Sequence, residues 1–131
     1  MLELPTAVDP RGSLTIAETG QGVPFPIRRA FFAYDLPKGA WRGGHAHTRL
    51  EELVICLRGA FEVSLDDGVH RVVVVLNRPT VGLYLPPMVW KRLERFARGT
   101  VYAVLASRPY EPADYIQDYD TFQSLARGTN P

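Results

Sequence analysis

Cysteine occurs once in these 131 residues, so no disulfide can form within the chain, and the apolar neighbours of Cys56 (Leu53, Val54, Ile55, Leu57) mark it as a buried thiol and not a nucleophile. Lysine is nearly as scarce, with Lys38 and Lys91 alone among 15 basic residues. A net charge of +1 gives no overall electrostatic attraction for nucleic acid or an anionic membrane. Long apolar runs are missing too: the longest aliphatic stretch, 72–76, is far too short to span a bilayer. The opening Met1-Leu2-Glu3-Leu4-Pro5 lacks a basic flank leading into an apolar segment, so a cytoplasmic location is expected. No repeat, low-complexity tract or shift of composition marks a boundary, and one domain over 1–131 is the expectation. Arginine's planar fork suits diphosphate recognition, although surface ion pairing gives the same count.

What is present reads as short strands. Hydrophobic residues make up 46% and charged residues 22%, ordinary for a chain with a packed core. Phe61, Val63 and Leu65 alternate with Glu62, Ser64 and Asp66, and Asp67-Gly68 supplies a turn into a second strand over 69–76. Further strands are expected over 29–35, 52–58, 82–85, 89–96 and 100–106, giving an all-β barrel or sandwich from about Leu14 to Ser107. Tyr115, Tyr119, Phe122 and Leu125 then approximate the apolar face of a short C-terminal helix capped by Asp118 or Asp120. Residues 128–131 are expected to fray.

His45 and His47 are the informative pair. In a strand, residues two apart share a face, so the two imidazoles converge on one volume, and Gly43-Gly44 before them permit a bend or a close ligand approach. The set Gly39, His45, His47, Glu52 and Gly59 resembles the first signature motif of the cupins, which implies a small cupin-type β-barrel, or jelly roll. In metal-binding cupins the two histidines and the glutamate are ligands, and a third histidine comes from a second motif. Here that segment is Pro86-Pro87-Met88-Val89-Trp90-Lys91, and an ammonium at Lys91 has no lone pair and repels a cation. No metal or other cofactor is expected. A metal-dependent cupin holding zinc or iron on His45, His47 and Glu52 is the first rival reading.

The resemblance is closer than the superfamily. Asp9-Pro10-Arg11-Gly12-Ser13-Leu14, Pro24-Phe25-Pro26-Ile27-Arg28-Arg29, Arg42-Gly43-Gly44-His45-Ala46-His47, Val81-Gly82-Leu83-Tyr84, Val104-Leu105-Ala106-Ser107 and Asp114-Tyr115-Ile116 are similar to segments of the sugar 3,4-ketoisomerases, in order, from about residue 9 to 123. That likeness implies action on dTDP-4-keto-6-deoxyglucose, moving its ketone from C4 to C3 in deoxyamino-sugar biosynthesis. Gly44 departs from the family, which commonly has an aromatic residue there.

Such a shift removes the hydrogen α to the carbonyl, passes through an enediol and returns a hydrogen to the old carbonyl carbon. A base with a pKa near 6.5 suits it. His45 is assigned the carbon transfers and His47 the oxygens, with the reverse assignment open. Arg42, and the hydroxyl of Tyr34, are candidates to stabilise the enediolate. Glu52 either orients an imidazole or sits in a salt bridge. Arg29 and Arg42 are the main diphosphate candidates, and the resemblance adds Arg11, Ser13, Glu18 and Lys91 around the substrate. It also implies a homodimer exchanging N-terminal strands. A nucleotide-sugar 3,5-epimerase and a non-enzymatic sugar-binding module are the remaining rivals.

Overall fold

The computed structural model of the chain describes residues 1–127, so the fraying expected for 128–131 falls outside it. Its strands are β1 (Leu2–Glu3), β2 (Thr6–Asp9), β3 (Gly12–Thr15), β4 (Glu18–Thr19), β5 (Gly22–Val23), β6 (Arg29–Ala33), β7 (Trp41–His47), β8 (Glu52–Arg58), β9 (Phe61–Asp66), β10 (Arg71–Leu76), β11 (Val81–Leu85), β12 (Trp90–Glu94), β13 (Val101–Ala106) and β14 (Tyr115–Ile116). A 3-10 turn, Pro112–Asp114, precedes β14, and helix α1 (Tyr119–Ala126) ends the described chain.

Two five-stranded antiparallel sheets form the body, in the orders β1-β11-β8-β13-β6 and β10-β9-β12-β7-β14. Their facing sides share one core, in which Val54, Cys56, Leu83 and Val104 of the first sheet meet Phe61, Val63, Leu76 and Leu93 of the second. β8 is apolar along most of its length because both its faces are covered. Val54 and Cys56 enter this core, while Leu53 and Ile55 pack on the other side against Leu4, Val23 and Phe25 of the N-terminal segment. β9 has only its inner face in the main core, which is why its sequence alternates. This is the cupin-type barrel that the histidine motif implied.

The helix is shorter than its apolar spacing suggested. Asp118 caps it, accepting from the backbone N–H of Thr121 at 2.9 Å, and Phe122 is fully buried beside Ala46, Ile116 and Trp90 on the outer face of the second sheet. Tyr115 lies in β14, paired with His47, and Leu125 is exposed, so two of the four residues read as the helix face do other things. Strand structure also begins earlier than Leu14: β2 and β3 form a hairpin turning at Asp9–Gly12. All of that hairpin is exposed except the half-buried Thr15. Among the described residues no helix is long and apolar enough to cross a membrane.

Candidate active site

β7 pairs with β12 through a bulge. Lys91 stands opposite His45 and Arg92 opposite Gly43, leaving Gly44 as the extra residue. Gly43 and Gly44 both adopt positive φ, +86° and +75°, and a Cβ on Gly43 would lie 2.9 Å from the carbonyl oxygen of Lys91. The inserted residue changes the alternation, so that Arg42 and His45, three apart, line the same cleft. That cleft, about 170 Å³, is walled by Phe31 of β6, Glu52 and Val54 of β8, Lys91 and Leu93 of β12, Tyr102 and Val104 of β13, and Tyr115. The Trp41 ring lies over Gly44, 3.1 Å from where a Cβ would be, and stacks on the Arg92 guanidinium at 4.3 Å.

His45 faces the cleft, whereas His47 is sealed behind it with 3% of its surface exposed. The ring centroids are 4.9 Å apart and nearly perpendicular, and Tyr115 abuts both, 4.9 Å from His45 and 4.3 Å from His47. His47 lies between two carboxylates: its Nε2 is 3.8 Å from Glu52 and its Nδ1 is 3.7 Å from Asp114. Both distances exceed a hydrogen bond, and both ring nitrogens are buried without a partner. Asp114 is fixed from the other side. It accepts from Thr48 Oγ1 and from the backbone N–H groups of Arg49 at 2.9 Å and Leu50 at 3.1 Å, tying the loop after β7 to the turn before β14.

The buried charge of the cleft wall is one pair. Lys91 Nζ is 2.6 Å from Glu52 Oε1, with side chains 7% and 6% exposed. Burial lowers the Lys91 pKa from its ordinary value, while Glu52 and Asp114 act to raise it. Burial, then the Lys91 cation, pushes His45 down to about 4 against an opposing hydrogen bond at Gly43. The same two causes, with His45 and Arg29 adding to them and Asp114 opposing, push His47 down to about 3. Burial raises the Asp114 carboxyl, but its hydrogen bonds from Thr48, Leu50 and Arg49 outweigh that and hold it below the usual range. At neutral pH both imidazoles are therefore unprotonated bases.

A metal ion does not fit this arrangement. The Glu52 carboxylate is taken by an ammonium, and the positive charge that lowers both histidine pKa values would oppose a cation. Among the described residues no group of three His, Cys, Asp or Glu side chains is placed to hold one.

The family model described as "FdtA: WxcM-like, C-terminal" matches residues 1–127. The chain is 41% identical over 123 residues to the TDP-4-oxo-6-deoxy-alpha-D-glucose-3,4-oxoisomerase of Aneurinibacillus thermoaerophilus, covering 94% of this chain and 88% of that protein. The chain belongs to the sugar 3,4-ketoisomerase family. It superposes on the sugar 3,4-ketoisomerase QdtA of Thermoanaerobacterium thermosaccharolyticum, solved with TDP, with a TM-score of 0.94 at 34% identity, covering 99% of this chain and 95% of that one. A histidine-to-asparagine variant of QdtA, solved with TDP-4-keto-6-deoxyglucose, gives the same TM-score at 33% identity, over 98% and 94% of the two chains. This ketoisomerase is thus an isomerase with a cupin-type barrel.

Its structure gathers some of the sequence candidates and separates others. His45, Arg42, Lys91 and Glu52 share the cleft wall. Arg29 stands behind it in the crevice with His47 and Asp114, its guanidinium 5.2 Å from the Phe31 ring and 5.6 Å from that of Tyr110. Tyr34 is displaced from its expected role: strand alternation sends Phe31 to the cleft and Tyr34 to the outer face, stacked on Phe32 and 60% exposed. Arg11, Ser13 and Glu18 do not line the cleft of their own chain. Arg11 and Ser13 sit on the β2–β3 hairpin, where Arg11 pairs with Asp9 at 2.7 Å, and Glu18 is exposed on β4. Tyr84 donates to Glu51 at 2.6 Å, and Trp90 packs against Tyr119 and Phe122. Asp114 and Tyr115 are the residues that a reading of the histidine motif missed. Asp114 appeared only within a family-like tripeptide and Tyr115 there and as a helix-face residue, and pairing across about 65 residues leaves no periodic signal.

Proposed function

We propose that this ketoisomerase acts on TDP-4-keto-6-deoxyglucose and moves its ketone from C4 to C3 by imidazole acid–base transfer through an enediol. The observation that carries this reading is His45 in the wall of a small cleft, backed by a second imidazole 4.9 Å away, with burial and the Lys91 cation favouring its neutral form. The relatives with TDP and with TDP-4-keto-6-deoxyglucose support the substrate. His45 removes the C3 hydrogen and returns it to C4. His47 serves the sugar oxygens from behind His45, its ring 4.9 Å away and its Nε2 on the side of Glu52 in the cleft wall. Arg42 and Arg29 take the diphosphate, Arg42 from the cleft rim and Arg29 from the adjoining crevice. No metal or redox cofactor takes part.

Two copies exchange their N-terminal strands in this proposal, bringing Arg11, Ser13 and Glu18 to the partner's substrate. The exposed hairpin supports it, since Val8, Leu14 and Ile16 project into solvent at 74%, 63% and 41% exposure. So does β6, an edge strand of its sheet carrying exposed Phe32, with exposed Tyr34 just past its end.

NMR of TDP-4-keto-6-deoxyglucose mixed with the protein in heavy water tests the reaction. Migration of the ketone to C3 is expected. Hydrogen exchange at C3 and C5 without migration would make the chemistry that of a 3,5-epimerase, and an unchanged sugar that merely binds would leave no turnover to explain.

A further inference from the structure

Lys91 is the one lysine that lines the cleft, and it is held there against the cost of burial. Its ammonium lies on Glu52 from β8. Asp114, before β14, adds negative charge, and His45 and His47 on β7 both feel its field. Arg42, also on β7, is the other cation in the cleft wall, but it is exposed and its charge is screened by water. Tyr102 on β13 is held neutral, its pKa raised chiefly by burial. The cation in the cleft that solvent does not weaken is therefore Lys91, with Glu52 as its buried counter-ion.

We propose that the Lys91 ammonium, anchored on Glu52 beside His45, is the oxyanion-stabilising cation of the reaction. The proposal rests on the ketone migration set out above. As His45 takes the hydrogen from C3, the C3–H electron pair becomes the C3–C4 double bond and the carbonyl pair moves onto O4. That oxygen becomes the anion that Lys91 stabilises. Return of the hydrogen from His45 to C4, with transfer of the O3 proton to O4, leaves the ketone at C3. Nothing is oxidised overall and no co-reactant is consumed. Glu52 keeps the ammonium in the wall before substrate arrives, so little reorganisation is needed when charge develops.

The test uses the full chain and the double variant Lys91→Met/Glu52→Gln, which removes both charges at similar volume and leaves neither alone in the core. We expect a folded protein that binds TDP-4-keto-6-deoxyglucose with KM within about threefold of the parent, and a kcat lower by about 10²- to 10³-fold, the usual effect of deleting one oxyanion partner. Wash-in of deuterium at C3 falls in parallel. Lys91→Gln is the second variant, since it keeps a neutral donor for Glu52 and packs without a charge, and the same loss is expected. A parent-like kcat in either folded variant would overturn the role of Lys91. Failure of the parent protein itself to move the ketone would instead remove the reading on which the role depends.

Discussion

Glu52→Gln isolates the energetics of the buried pair. The substitution keeps the shape of the side chain but leaves the Lys91 ammonium, with 7% of its side chain exposed, without the carboxylate that stands 2.6 Å away. Breaking a buried pair from one side costs about 3–5 kcal/mol, because the remaining charge has lost its compensation. For a chain of this size that is a fall in Tm of roughly 10–20 °C. Glu52 raises the Lys91 pKa against the downward push of burial, so the variant's folded-state pKa lies further below the unfolded value than the parent's. A group whose pKa is depressed by folding contributes stability that is present above its unfolded pKa and lost as pH falls through the folded one. The defect should therefore be largest near pH 7 and shrink as pH rises to 9.5. Thermal melts of both proteins at equal concentration, at pH 7 and pH 9.5, measure it. A fall of less than about 3 °C, the same at both pH values, would refute a buried ammonium on Glu52.

The remaining expectations concern the cleft and its surroundings. With His45 lowered to about 4, the acidic limb of kcat/KM should fall below about pH 5, and a limb near 6.5 would mean that an ordinary, solvated imidazole is the base. Asp114→Asn puts an amide where backbone N–H groups of Arg49 and Leu50 now donate, and should cost about 1–3 kcal/mol in urea unfolding. Gly43→Ala forces a Cβ to within 2.9 Å of the Lys91 carbonyl at φ +86° and should also lower stability, by roughly 1–3 kcal/mol, read as a shift in the urea midpoint. If the proposed strand-exchanged dimer forms, loss of residues before Arg11 should weaken it in light scattering, and an unchanged dimer would count against strand exchange.

Much of the fold could be read directly. β8 matches its expected span because its apolar run sits between Glu52 and Gly59, and β9 because one face alternates cleanly. The His45/His47 pair was legible for the same reason, since two residues apart on a strand fixes a common face. Arg42 was not, because its approach to His45 depends on the bulge at Gly43-Gly44, which depends in turn on the register with β12. Tyr34 was misplaced by one step of alternation in β6, a strand whose flanking residues carry no clear inward pattern. Tyr115 resembled a helix-face residue because its spacing to Tyr119 fits a helical period, but β14 captures it by pairing with β7. The hairpin of β2 and β3 packs so little against its own chain that its apolar residues gave no alternating core signal. Lys91 and Glu52 stood out individually in sequence, but their contact is a tertiary fact of adjacent sheets.

The most direct trial of the account is the rate at which TDP-4-keto-6-deoxyglucose loses its C4 ketone to C3, followed by NMR for the parent and for His45→Asn. The substitution removes the base facing the cleft and leaves Lys91, Glu52 and His47 in place. A drop of about 10²- to 10⁴-fold with the nucleotide-sugar still bound is the predicted result. Equal rates in the two proteins would contradict it.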